Sequence, residues 1–129
     1  MTTDFSAPAV TVRGPVGGGI TLAADPASGQ AAIECWGGSA LTPRLLVSGL
    51  VNGPDLAALA EHIVGPPGTE RTFELSAEPP AGMRLQHTGG AVVRVTATSG
   101  GQVVGVITID RSRLAHQARM FADALALLG

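Results

Sequence analysis

GQVVGVITIDRSRLAHQARMFADALALLG, residues 101–129, is the stretch that decides the fold. Gln102 to Ile109 is dense in Val and Ile, which suit a pleated and partly covered surface, so it predicts a strand. Gly105 interrupts it, and a glycine inside a strand marks a bulge or a close backbone approach. Asp110 or Ser112 can cap a following helix, because either side chain can accept from a free N–H of the first turn. Leu114, Ala118, Phe121, Leu125 and Leu128 then recur every three or four residues, which is one face of a helix. Ala115, Ala122 and Ala124 let that face lie close to a sheet, and Gly129 stands where a C-cap would sit. The opposite face carries Arg113, His116, Gln117, Arg119 and Asp123. Its charges run against the helix dipole, with Arg111 and Arg113 near the positive end, at a cost of about 1 kcal/mol per charge at most. The plain reading is a solvated face; the sharper one is a contact surface for an acidic partner.

Upstream, short alternating runs are separated by glycine and proline. Ala9 to Arg13 is a first strand, Gly14 to Gly19 a turn, and Ile20 to Trp36 a hairpin around Asp25-Pro26-Ala27-Ser28-Gly29. Gly37-Gly38-Ser39 breaks the chain again, and Arg44 to Val51 follows as a strand. Asn52-Gly53-Pro54-Asp55 is a helix start, Leu56, Leu59, Ala60 and Ile63 form its apolar face, and Gly65-Pro66-Pro67-Gly68 stops it. Thr72–Ala77, Met83–His87 and Val93–Thr98 then alternate between further turns, and sequential strands of this kind pair as neighbours. The sum is an α+β domain: a mainly antiparallel meander of about eight short strands, with one internal helix and one C-terminal helix packed on it. No internal repeat of solenoid length is visible.

The chain has 129 residues, enough for one domain with its own core. Residues 1–8 read as a flexible N-terminus and 9–129 as the single domain. One Cys excludes an internal disulfide and fits a reducing compartment. Neither a signal peptide nor an apolar run of about 18 residues is visible, so the expectation is a cytoplasmic protein off the membrane. A net charge of −2 makes no electrostatic case for nucleic acid. All the basic residues are Arg, which rules out Lys-based chemistry within these residues. Charged residues are only 14% against 45% hydrophobic. That density points to surface covered by another protein or by a second copy.

Few residues suggest chemistry. His62, His87 and His116 sit in no HxH or HExxH spacing and Cys35 has no CxxC partner, so neither a metal site nor a cofactor is expected. His62 suits the end of its helix, and His87, at a strand end, reads as a loop-facing polar residue. Cys35 alternates with Ile33 and points to the core; its alternative is a nucleophile beside a histidine. Trp36 reads as packing beneath the closing helix or as a recognition anchor beside a flexible turn. Val16-Gly17-Gly18-Gly19 lacks the features of a phosphate cradle and reads as a flexible hairpin tip. Without a GxSxG elbow or an ordered Ser-His-Asp set, the balance leans against an enzyme.

The order of an early strand run, a helix from Gly49-Leu50 through Leu56 and Leu59, Phe73-Glu74-Leu75, a valine-rich hairpin ending at Asp110, and a helix with Leu114 resembles the WapI-type immunity proteins. It is also similar to related small actinobacterial domains of unknown function. The aromatic often found just after the closing Asp in such proteins is Arg113 here. The resemblance implies a non-enzymatic cytoplasmic protein that binds a toxin or effector.

The first expectation is therefore a non-catalytic protein-binding domain with contacts at Trp36, Arg113, His116 and Arg119. The second is a small ligand-binding protein or enzyme with a pocket between helix and sheet holding Cys35, His87 and Asp110. The third is a structural or assembly subunit of a phage or secretion system.

Overall fold

The computed structural model describes residues 9–25, 27–39, 41–127 and the backbone of Leu128. The expectations placed on Met1–Pro8, on the Leu128 side chain and on Gly129 lie outside these residues. Eight antiparallel strands and two helices confirm the α+β reading. The strands are β1 (Val10–Arg13), β2 (Gly19–Asp25), β3 (Gln30–Gly38), β4 (Pro43–Asn52), β5 (Arg71–Leu75), β6 (Ala81–His87), β7 (Val92–Ser99) and β8 (Gln102–Asp110). Helix α1 (Gly53–Val64) follows β4 and α2 (Arg111–Leu128) follows β8.

The strands divide into two four-stranded meanders, β1-β2-β3-β4 and β5-β6-β7-β8. Each ends in a helix, so the order of four strands and a helix occurs twice, with a period longer than the solenoid range. Short turns make the hairpins inside each sheet; α1 interrupts the run after β4, and a new sheet starts at β5. Pairing between the sheets among the described residues is a single bridge, Leu50 with Ser76, whose two backbone bonds measure 3.0 and 2.8 Å.

Each sheet carries one bulge between its third and fourth strands. Cys35 pairs with Val47 and Trp36 with Leu45, so Leu46 is the extra residue in β4. Ala97 pairs with Gly105 and Thr98 with Val103, so Val104 is the extra residue in β8. The bulges bring the two sheets together. Leu46 packs so closely on β8 that a Cβ on Gly105 would lie 2.7 Å from its Cδ1. The glycine that interrupts the closing strand is therefore both at a bulge and at a close approach.

One core joins everything. Val12, Ile20, Leu22, Ile33 and Cys35 of the first sheet meet Met83, Leu85, Val93, Val95 and Ile109 of the second. Leu56, Leu59 and Ile63 of α1, with Leu114, Ala118, Phe121 and Leu125 of α2, complete it. The two helices pack side by side, and alanines at Ala60, Ala115, Ala118 and Ala122 allow the close approach. Asn52 caps α1 by accepting from Asp55 N–H at 2.8 Å, and Pro54 sits in its first turn. Among the described residues no helix is long and apolar enough to cross a membrane.

Candidate functional site

The alternation of β1, β2 and β3 sends every second side chain away from the core. On that outer face Arg13, Gly19 and Trp36 fall in one cross-strand row, and Thr11, Thr21 and Glu34 in the next. These residues line an open depression of about 460 Å³, closed at one side by Gly14, Gly17, Gly18, Ser39 and Pro43. Trp36 is half-buried and its Nε1 donates to Glu34 Oε1 at 3.3 Å. The Thr11 and Thr21 hydroxyls bond each other at 2.9 Å. Trp36 thus does not lie beneath the closing helix. It is in phase with Glu34, on the face opposite Cys35 and the core.

The glycine turn between β1 and β2 is packed against its neighbours. A Cβ on Gly14 would stand 1.7 Å from the Thr108 carbonyl oxygen, and Gly18 (φ +77) lies against the Trp36 carbonyl. Only glycine allows the turn to approach so closely. On its far side a smaller hollow of about 200 Å³ is lined by Val16, Val106, Ile107 and Thr108. Val16 and Val106, which line this second hollow, are exposed, and so is Leu45, the β4 partner of Trp36.

The second group of residues is structural. His87 is buried, which corrects the loop-facing reading: it ends the inward row Met83–Leu85–His87. Gly89 N–H donates to its Nδ1 at 2.9 Å, so the ring proton belongs on Nε2, which donates to the Gly65 carbonyl at 3.1 Å. Arg111 reaches the same place. Its guanidinium donates to the carbonyls of Gly90 at 2.7 Å, Ile63 at 3.1 Å and Gly89 at 3.2 Å, and comes within 3.3 Å of His87 Nδ1. The charge that opposes the dipole of α2 at its start therefore sits at the C-terminal end of α1, where it is favourable. His62 adds a third tie, donating from Nε2 to the Leu85 carbonyl at 3.0 Å.

Cys35 is sealed in the core, and burial pushes its thiol up to about 12. Asp110 caps α2 by accepting from Arg113 N–H at 3.0 Å and the Ser112 hydroxyl at 3.2 Å. Its carboxyl is held below the usual Asp range, chiefly by the Arg113 backbone bond; partial burial opposes this and the Ser112 hydroxyl adds to it. Cys35, His87 and Asp110 line none of the depressions described here and do not form a shared pocket.

Arg113, His116 and Arg119 are exposed on α2, as their spacing predicts. Arg119 pairs with Glu61 of α1 at 3.3 Å and lines a shallow groove between the helices with Asn52, Pro54 and Asp123. Because α2 shares the core with the inward face of the first sheet, this stripe and Trp36 belong to separate surfaces.

No protein-family model matches the chain, and neither the curated proteins nor the solved structures give a match.

Proposed function

We propose that this chain is a non-catalytic protein-binding domain that engages its partner through the Trp36 depression. The observation that carries this reading is the placement of the sole Trp. It stands half-buried on the outer face of a sheet, in one depression with Arg13 and Glu34 and beside exposed Leu45, its partner on β4. Trp and Arg in a partly desolvated hollow beside an exposed apolar side chain match the composition of interface hot spots. The groups that catalysis would recruit are committed elsewhere: the Cys35 thiol to the core, both His87 nitrogens and the Asp110 carboxylate to backbone bonds. The resemblance to immunity-type proteins narrows the partner to a toxin or effector in the cytoplasm, neutralised by occlusion.

The test is capture from host lysate with wild type, Trp36→Ala and the double variant Arg113→Glu/Arg119→Glu. A stoichiometric protein retained by wild type and the double variant but lost with Trp36→Ala supports this surface. Loss with the double variant alone moves the interface to α2 and overturns the assignment.

A further inference from the structure

Resting on that protein-binding reading, we infer the chemistry of the partner segment: an extended peptide placing an apolar side chain on the Trp36 indole, a carboxylate towards Arg13 and a cationic side chain towards Glu34. Arg13 and Glu34 occupy opposite corners of the depression, on β1 and β3, in adjacent outward rows. Strands about 4.8 Å apart and a rise of about 3.3 Å per residue put their Cα atoms about 12 Å apart. Neither side chain belongs to an ion pair among the described residues. The bond that Glu34 accepts comes from the Trp36 indole, which leaves the rest of its carboxylate for a ligand.

The Cα separation is the quantity that an extended chain laid across the strands has to match. It fits charges three or four residues apart on an extended chain, at about 3.3 Å per residue. Gly19 lies between Arg13 and Trp36 in their row, so no side chain stands between the charge and the ring. A peptide backbone can lie there. One charge of each sign also selects against a polyanion, which would meet Glu34.

The probes are acetylated, amidated pentapeptides with a central Phe and Glu or Lys at each end, in all combinations, titrated at low salt against the full chain. Trp36 fluorescence reads binding without interference, since the chain has no other Trp and no Tyr. A mixed-charge peptide binds more tightly than the like-charged ones, by about threefold per matched charge. Arg13→Glu moves the preference to the Lys/Lys peptide and Glu34→Arg moves it to Glu/Glu. Both positions face outward, and thermal melts confirm that each variant is folded. A ranking unmoved by either substitution, no response to any peptide, or a response to an oligosaccharide in place of the peptides overturns the inference. If Trp36→Ala still loses the captured partner while the peptide ranking is flat, the charge assignment fails and the binding surface stands. If Trp36→Ala leaves capture intact, the underlying reading fails as well.

Discussion

Asn52 and Asp110 hold the same position in the two halves of the chain: each ends the fourth strand of its sheet and caps the helix that follows. Each side chain accepts the backbone N–H three residues on, at 2.8 Å from Asp55 and 3.0 Å from Arg113. Leu46 and Val104 match as well, since each is the extra residue of a bulge. Asn52→Ala removes one cap and lowers stability by about 1 kcal/mol, measured by urea unfolding, whereas Asn52→Asp restores it. An unchanged midpoint in the Ala variant would show that the cap is dispensable.

Asp110 adds a pH dependence of known sign. Its folded-state pKa is depressed, so its charge stabilises the fold above the ordinary Asp value and this contribution fades as pH falls through the folded value. Asp110→Asn keeps the cap acceptor and removes the charge. The stability gap between wild type and this variant is largest at neutral pH and narrows below about pH 4. A gap that widens in acid contradicts the assignment.

Arg111 is irreplaceable by Lys. Its planar fork serves three carbonyls at once, and an ammonium cannot reach all of them. Arg111→Lys destabilises by about 2 kcal/mol through the orphaned carbonyls of Ile63, Gly89 and Gly90. Hydrogen exchange at the Gly89 amide, which donates to His87, rises in the same variant. Full retention of stability and exchange protection would refute the role.

Gly105→Ala and Gly14→Ala differ in what can rescue them. The added methyl on Gly105 meets the Leu46 side chain, so the variant loses about 1–3 kcal/mol and recovers part of it when combined with Leu46→Val. On Gly14 it meets the Thr108 carbonyl, and no side-chain change relieves a clash with backbone. Thermal denaturation of the single and double variants separates the cases.

Cys35 reports on global opening. With its thiol buried and pushed up to about 12, a disulfide reagent at pH 8 labels the native protein only as fast as it unfolds. Labelling that stays fast and is insensitive to stabilising osmolytes would mean that the site opens locally.

Most elements are legible in the sequence because their causes are local. The Asn52–Asp55 start, the Gly65–Gly68 stop and the strand alternations each lie within a few residues of what they specify. His87 carried a usable signal, since it is in phase with Met83 and Leu85, but its position at a strand end favoured the wrong reading. Trp36 likewise shares its phase with Glu34, which places it on the outer face. The division into two sheets was not legible, because it depends on α1 interrupting the strand order and on one bridge at Leu50–Ser76. Nor was the packing of Gly14 against Thr108, whose partner is remote in the chain. Arg111 looked misplaced for the same reason: the helix end it serves belongs to the other half.

That attachment governs how the molecule comes apart. Arg111 is the first residue of the last helix, yet it holds the end of the first helix and the β6–β7 turn. The last helix therefore cannot peel away by itself; opening it exposes carbonyls in both halves and empties the shared core of Leu114, Phe121 and Leu125. Although the chain reads as one unit written twice, it melts as one, and a cut in the Gly65–Gly68 linker releases no self-sufficient half.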